Sequence, residues 1–206
     1  MSERGLLLVL SGPSGVGKGT IASALLKETP GLGLAVSATT RSPREGEKDG
    51  VNYRFYSLAE FEQLIKNERL LEWAHVYGHY YGTDRQYVLE SLEASKDLLL
   101  EIDIQGALSV KKKLPKAVLI YITPPSRAEQ RRRLEGRATD SQSEIERRLA
   151  SFEEELKFIE EYDYIVMNDE VSLAVQRIKA VITAEKLRPY CQHEFLLGLT
   201  TEDKHE

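Results

Sequence analysis

The feature that most constrains this chain is a glycine-rich loop between an apolar run and a helical pattern. The run at residues 6–10, LLLVL, is followed by GPSGVGKGT at residues 12–20, and an amphipathic segment follows from residue 21. Glycines let consecutive backbone N–H groups converge on a polyphosphate at a helix N-terminus, where the helix dipole favours anions. Lys18 is spaced to reach the β- and γ-phosphates. The spacing predicts a phosphate-binding loop, and the alternative is a tight glycine turn without a ligand.

This loop departs from the usual pattern at one position. Such loops carry Ser or Thr directly after the lysine as a ligand for Mg²⁺, and this chain has Gly19 there. The departure disfavours direct ligation of the metal by the loop, and Thr20 is a candidate contact of the α-phosphate. Because Mg²⁺ keeps several waters in protein sites, we expect acidic residues to hold it through water, with Glu101 and Asp103 as candidates. The residues expected at the donor phosphates are Gly12, Pro13, Ser14, Gly15, Val16, Gly17, Lys18, Gly19 and Thr20.

Apolar runs alternate with longer helical patterns, which is typical of a parallel sheet connected by helices. The runs expected to form buried strands are residues 6–10, 34–36, 98–104, 118–122 and 164–167. Helices are expected near 58–67, 84–95 and 126–135, because each follows a capping-box pair. These pairs are Ser57 with Glu60, Thr83 with Gln86, and Ser126 with Glu129. The predicted fold class is α/β: a three-layer α/β/α of the phosphate-loop NTPase type with a central parallel sheet, an inserted mixed α+β subdomain and a mobile helical lid.

Two segments interrupt this alternation. Residues 37–88 are rich in Arg, Tyr, Gly and Glu with short alternating runs, which predicts a small subdomain containing antiparallel strand. Residues 127–148 carry seven arginines against five acids and lack a full apolar stripe, which predicts a mobile lid. The core would then comprise residues 1–36, 89–126 and 149–206. Because neighbouring helical residues point about 100° apart, the three arginines at 131–133 cannot all face one ligand.

The acceptor of the phosphate has to be identified elsewhere, since a phosphate loop alone indicates only a nucleoside triphosphate. Arg41 and Arg44 stand three residues apart on a loop stiffened by proline, and arginine suits a bidentate grip on a monophosphate. Tyr53 adds a hydroxyl donor. Further along, the chain supplies carboxylates, aromatic faces and hydroxyls that can line a second site, at Glu72, Tyr81, Thr83, Glu101 and Asp103.

Together these motifs resemble those of the guanylate kinases, which transfer the γ-phosphate of ATP to GMP or dGMP. The resemblance covers residues 6 to about 186 and rests on GPSGVGKGT, VSATTRSPREGE, Tyr53, Glu72-Trp73, Tyr80-Tyr81-Gly82, EIDIQG, RRRLEGR and VMND. It implies that guanine is bound by Ser37, Glu72, Thr83 and Asp103, and the GMP phosphate by Arg41, Arg44, Tyr53 and Tyr81. It implies further ATP contacts at Arg133, Arg137 and Asn168. Arg148 would reach both nucleotides, and catalytic roles fall to Lys18, Arg41, Arg137 and Arg148.

Guanine chemistry agrees with that implied site. The N1–H and exocyclic NH₂ of guanine can donate to the carboxylates of Glu72 and Asp103, and its O6 can accept from the hydroxyls of Ser37 and Thr83. Each residue alone also has an ordinary structural explanation, as a solvated charge or a helix cap. A site of buried polar groups rejects a ligand that leaves them unpaired by roughly 10⁴–10⁵, so we expect a strong preference for GMP over AMP.

Composition narrows the remaining possibilities. A net charge of −5 disfavours a general nucleic-acid or anionic-membrane binder. No apolar run approaches the roughly 20 residues of a spanning helix, and one cysteine, Cys191, cannot form an intramolecular disulfide, so we expect a cytoplasmic protein. A homo-oligomer is compatible with the sequence, and the histidines at 75, 79, 193 and 205 show no metal spacing. Two alternatives stay open: a non-catalytic guanylate-kinase-like domain that binds partner peptides, and a phosphate-loop kinase with another acceptor.

Overall fold

The structure, a computed structural model, describes residues 5–44, 46–76, 78–136, 141–192 and 196–197. Its strands are β1 (Leu7–Ser11), β2 (Leu32–Leu34), β3 (Ala38–Thr39), β4 (Arg54–Phe55), β5 (Leu70–Val76), β6 (His79–Asp84), β7 (Asp97–Glu101), β8 (Val118–Thr123) and β9 (Tyr164–Met167). Its α-helices are α1 (Lys18–Glu28), α2 (Leu58–Lys66), α3 (Arg85–Glu93), α4 (Ile104–Lys113), α5 (Arg127–Glu135), α6 (Gln142–Leu156) and α7 (Val171–Lys186). None of the helices within these ranges combines the length and apolar character that crossing a membrane requires.

Five parallel strands form the central sheet in the order β2-β7-β1-β8-β9. Strand β1 lies in the middle and is buried along its whole length, because its apolar run packs against helices on both faces. The strands predicted from the runs at 6–10, 118–122 and 164–167 are confirmed. The run at 34–36 is displaced, since β2 ends at Leu34. The run at 98–104 ends at Glu101, because Asp103 caps α4 and Ile104 begins that helix.

Helices cover both faces of this sheet and complete the three layers predicted from the sequence. Alternate residues of β1 point to opposite faces: Leu8 and Leu10 belong to one core cluster and Leu7 and Val9 to another. The first cluster includes side chains of α1 and α7, and the second includes side chains of α3 and α4. The sheet therefore lies between two apolar layers. The carboxyl ends of its strands lie at one edge, where these layers leave them accessible.

A second, four-stranded sheet has the order β4-β3-β6-β5. Strands β3 and β4 are parallel, whereas β6 is antiparallel to both β3 and β5. Helix α2 buries Phe61 against Ala38 and Leu70 of this sheet. The mixed α+β character predicted for residues 37–88 is thus present, although one strand pair is parallel. The boundary positions of that subdomain stay a prediction.

The three predicted helix starts have different outcomes. Ser57 and Glu60 form the expected capping box of α2. Ser126 accepts from the N–H of Glu129, but the Glu129 carboxylate binds arginines of its own helix instead of returning to the cap. The Thr83 cap is wrong: Asp84 caps α3 by accepting from the Tyr87 N–H, because the Thr83 hydroxyl is hydrogen bonded across the sheet.

Helices α5 and α6 occupy the segment predicted to be the lid. They share a small apolar cluster of Leu134, Ile145 and Leu149, which packs the two helices together. Helix α6 continues to Leu156, so the predicted boundary at residue 148 falls inside a helix. The mobility of this segment stays a prediction.

Candidate active site

The glycine-rich loop follows β1 at the open edge of the central sheet, where parallel α/β folds bind their ligands. Gly12 has a φ of 141°, and a Cβ there would lie 2.2 Å from the Ile122 carbonyl oxygen. Gly15 has a φ of 82°, and a Cβ there would lie 2.7 Å from the Leu134 side chain of α5. Side chains at either position would push the loop off β8 or α5. The glycines therefore keep the loop in close contact with both.

Lys18 is the first residue of α1, directly after the glycines. Its Nζ donates to the carbonyl oxygens of Gly12, at 2.6 Å, and Pro13, at 3.2 Å. These bonds hold the ammonium group against the loop rather than extended into solvent. Lys18 also lines the cavity described below, so one residue borders both the loop and that cavity.

Ser14 of the loop is held by both lid helices. The Gln130 side-chain NH₂ donates to its carbonyl oxygen at 3.0 Å, and the Arg148 Nη1 donates to its hydroxyl at 2.9 Å. Gln130 is completely buried, and no expectation from the sequence included it. The available signal was the spacing of four residues between Gln130 and Leu134, which places both on one face of α5. Ser14 thus connects the loop to both lid helices.

The three consecutive arginines of α5 point in different directions and contact different partners, as neighbouring residues on a helix must. Arg133 donates to the carbonyl oxygens of Val16, at 3.3 Å, and Asn168, at 3.0 Å. Arg131 and Arg132 form ion pairs with Glu146 and Glu129, respectively. Arg133 is therefore the member of the triplet that reaches the loop. Arg137, which the resemblance placed at ATP, lies outside the described residues.

Asn168 follows β9 and is 3% exposed. Its side-chain NH₂ donates to the Val16 carbonyl oxygen at 2.7 Å. Its Oδ1 is buried and has no hydrogen-bond partner within the described part of the chain. A buried acceptor without a donor is costly, so this oxygen is well suited to an N–H group of a ligand.

A cavity of about 180 Å³ lies between the two sheets and brings together most of the residues predicted for the acceptor. The predicted residues that line it are Lys18, Ser37, Tyr53, Glu72, Tyr81, Glu101 and Asp103. Apolar side chains of Ala74, Val76 and Ile102 complete its wall. A flat, partly polar molecule fits this combination of apolar surface and a few directed polar groups.

Glu72 is 2% exposed, and its Oε1 accepts from the Thr83 hydroxyl at 2.7 Å. Burial raises the pKa of Glu72 to about 7, against the opposing effect of the Thr83 hydrogen bond. The Thr83 proton is therefore directed at the carboxylate, whereas the sequence interpretation directed it at a ligand carbonyl. In this structure Thr83 orients the acid.

Asp103 stands at the N-terminus of α4, where its Oδ1 accepts from the Gly106 N–H at 2.8 Å. Burial also raises the pKa of this carboxyl. A Cβ at Gly106 would lie 2.7 Å from Glu72 Oε2, so the glycine lets α4 approach the acid of β5 closely. The two carboxyls thus converge on one cavity, and Gly106 is a residue that the sequence interpretation missed.

Arg41 lies beside this cavity, with its guanidinium 5.4 Å from the centre of the Tyr53 ring. Its Nη2 donates to both carboxylate oxygens of Glu47, at 2.8 and 2.9 Å. Arg44 is exposed, and its backbone N–H donates to the same Glu47 at 2.7 Å. Glu47 was not among the predicted site residues. In the sequence, the only local indication of this role is that an acid follows three residues after Arg44.

Candidate metal ligands are sparse in this site. The carboxylate oxygens of Glu101 lie 3.6 Å from the position that a Cβ of Gly19 would occupy. Among the described residues no group of three or more His, Cys, Asp or Glu side chains is arranged to hold a metal ion by itself. His75 packs on the ring of Tyr80 at 4.8 Å, and His193 and His205 lie outside the described ranges.

Known proteins resemble this chain in sequence and in fold over most of their length. The family model described as guanylate kinase matches residues 4–185. A guanylate kinase from Halalkalibacterium halodurans is 52% identical over 195 residues, which cover 95% of this chain and 94% of the relative. One from Caldanaerobacter subterraneus is 53% identical over 188 residues, 91% of each chain. The crystal structure of guanylate kinase from Anaplasma phagocytophilum has a TM-score of 0.76 and 33% identity, covering 92% of this chain and 90% of that one.

Proposed function

The chain belongs to the guanylate kinase family and transfers the γ-phosphate of ATP to GMP, and we propose that the residues described above carry out that reaction. The observation that carries the proposal is the position of Lys18. Lys18, which directly follows the loop glycines, lines the same cavity as Glu72 and Asp103. A base bound by those two acids would therefore carry its phosphate close to the terminal phosphate of ATP in the loop. Closeness of the reacting groups is the main requirement of phosphoryl transfer.

In this proposal the guanine base enters the cavity edge first. Glu72 and Asp103 accept from its N1–H and NH₂ groups, and Ser37 donates to O6. Thr83 holds Glu72 in place through the bond already described. Adenine carries an amine at C6, where guanine carries O6, and it lacks the N1–H and the amine at C2, so it would leave these buried groups unpaired.

The GMP phosphate is assigned to Arg41, Arg44, Tyr53 and Tyr81. The rings of Tyr53 and Tyr81 meet edge to face at 6.1 Å, which brings both hydroxyl-bearing rings to the side of the cavity next to Arg41. Guanidinium groups suit a dianionic phosphate because they offer several N–H donors in one plane.

The donor nucleotide is assigned to the loop and the lid. Residues 12–20 bind the phosphates of ATP together with Arg133, and the unpaired Oδ1 of Asn168 accepts from the amino group of adenine. A contact of Arg137 with ATP stays a prediction from the resemblance. Arg148 stabilises the negative charge that spreads over the transferred phosphoryl group, together with Lys18. Its bond to Ser14 already brings it to the edge of the loop.

Mg²⁺ accompanies ATP in this proposal, and the donor chemistry of the site fits it. Carboxylate oxygens are ligands that Mg²⁺ prefers, and the Glu101 carboxylate lies beside the loop at Gly19. Glu101 and Asp103 would hold the hydrated ion, which offsets charge on the phosphates.

The test is a coupled assay of ADP formation with GMP, dGMP, AMP and ribose 5-phosphate as acceptors. We expect turnover with GMP and dGMP and a kcat/KM for AMP lower by roughly 10⁴. Turnover with ribose 5-phosphate instead would support another acceptor, and binding without turnover would support a non-catalytic domain.

Glu72→Gln should lower kcat/KM for GMP far more than it changes the KM for ATP.

We also propose a cytoplasmic location. The observation in its favour is that the sequence has one cysteine, Cys191, so no disulfide between two of its own cysteines calls for an oxidising compartment.

A further inference from the structure

Glu47 joins the two arginine positions of the acceptor-phosphate site. Its carboxylate accepts from the Arg41 side chain through both oxygens, and one of these oxygens also accepts from the Arg44 backbone N–H. The side chains of Arg41 and Glu47 are 13% and 18% exposed, so this pair is largely shielded from water. Exposed ion pairs contribute little, whereas shielded pairs with several hydrogen bonds fix geometry.

The guanidinium of Arg41 is restrained on three sides. Nη2 faces Glu47, Nη1 donates to the Ser42 carbonyl oxygen at 2.7 Å, and the ring of Tyr53 lies 5.4 Å away. An arginine side chain loses rotamer freedom when it is immobilised, and here that loss occurs before any ligand binds. The Tyr81 hydroxyl also interacts with the guanidinium, so Arg41 is held at the side of the cavity that carries both tyrosines.

We propose that Glu47 is a positioning residue for the acceptor phosphate: it sets the Arg41 guanidinium and the Arg44 backbone at the spacing that a monophosphate dianion requires. The inference rests on the proposed function, because it concerns the same site. Glu47 itself bears a negative charge and does not touch the phosphate. Its effect reaches the ligand through the two arginines.

A comparison of GMP with guanosine tests this role, because guanosine has the same base and ribose but no phosphate. Calorimetric titration of Glu47→Ala should show GMP affinity lowered at least tenfold and guanosine affinity within twofold of wild type. Glu47→Gln keeps one acceptor oxygen for Arg41 and should recover part of the loss. The exposed Glu62→Ala of α2 is the matched control, and it should change neither affinity.

Three results would overturn the inference. GMP affinity that is unchanged in Glu47→Ala would remove the role, and GMP affinity that rises would make Glu47 a competitor of the phosphate. An equal loss of guanosine and GMP affinity would indicate general damage to the subdomain instead of a phosphate-specific effect.

A double-mutant cycle with Arg41→Ala separates positioning from direct action. If Glu47 works partly through Arg41, Glu47→Ala should lower GMP affinity by a clearly smaller factor in the Arg41→Ala background than in wild type, and the remaining loss is the effect through the Arg44 backbone. Additive losses would contradict that connection. A wild-type chain that does not phosphorylate GMP would refute the proposed function, whereas a wild type with normal turnover and a Glu47→Ala variant with normal GMP affinity would refute only the role of Glu47.

Discussion

At the scale of single residues, Glu72 is the side chain whose chemistry depends most on its surroundings. A carboxyl that is 2% exposed loses most of its hydration, so the charged form is disfavoured and its pKa rises to about 7. The nearby Asp103 raises it further, while Thr83 and Lys113 lower it. Guanine offers two N–H donors on one edge, and an ionised carboxylate is the better acceptor for them.

Guanosine binding should therefore strengthen as pH rises through about 7. Below that pH most of the ligand-free protein carries protonated Glu72, and the proton must leave before the acid can accept from guanine, so affinity falls as pH decreases. Guanosine avoids the titration of the GMP phosphate itself. Fluorescence or calorimetric titration between pH 5.5 and 8 would measure the midpoint.

Two variants check the assignment of this pH dependence to Glu72. Thr83→Val removes the hydrogen bond that lowers the pKa, so the midpoint should move to higher pH. The side chain of Glu72→Gln does not titrate. The guanosine affinity of this variant should be lower than that of wild type, and its pH dependence should show no step near pH 7. A wild-type affinity that is constant across this range would contradict the raised pKa as the controlling factor.

At the scale of elements, the two lid helices contact the loop unequally. Helix α5 contributes Gln130 and Arg133 to the loop, and α6 contributes Arg148. The outward arginine of α5, Arg132, is 76% exposed and pairs with Glu129 one turn earlier. One face of the lid therefore contacts the loop. The other face is exposed to water and forms ion pairs within its own helix.

Arg148→Ala should lower kcat by about 10³, the lower end of what an arginine supplies to phosphoryl transfer. Its guanidinium donates to Ser14 of the loop, and the proposed function places the transferred phosphoryl group at this loop. Steady-state rates at saturating ATP and GMP would measure the loss. Arg132→Ala is the control and should leave kcat within twofold; a loss of less than tenfold in Arg148→Ala would contradict the role.

At the scale of the whole molecule, the proposed site combines three parts of the fold. The central sheet contributes the loop and Asp103, the second sheet contributes Glu72, and the lid contributes Arg148. Water that reaches ATP in an open site can take the phosphate in place of GMP, and closure of these parts around both nucleotides would exclude that water.

We therefore expect the protein to become more compact when both sites are filled. Small-angle scattering with GMP and a non-hydrolysable ATP analogue should give a smaller radius of gyration than the ligand-free protein. AMP in place of GMP is the control, because the cavity acids would not hold adenine. Scattering curves that superimpose with and without both nucleotides would argue against closure.

The sequence alone determined the parts of this protein that depend on local chemistry. The glycine loop, the lysine after it and the alternation of apolar runs with helical patterns predicted a parallel sheet with a phosphate site, because strand and helix periodicity and glycine conformation are local properties. The motif order also predicted which residues meet at the acceptor cavity. Most of those described do line it, including Glu72 and Asp103.

Only the tertiary structure decided where individual protons and charges are directed. The register of β5 against β6 sets Glu72 opposite Thr83 after an irregularity at residues 70–72, so the Thr83 hydroxyl binds an acid and Asp84 becomes the helix cap. The pairing of Arg41 with Glu47 likewise depends on the path of the loop. Burial, strand register and loop path arise from contacts between distant residues, and local sequence patterns do not specify them.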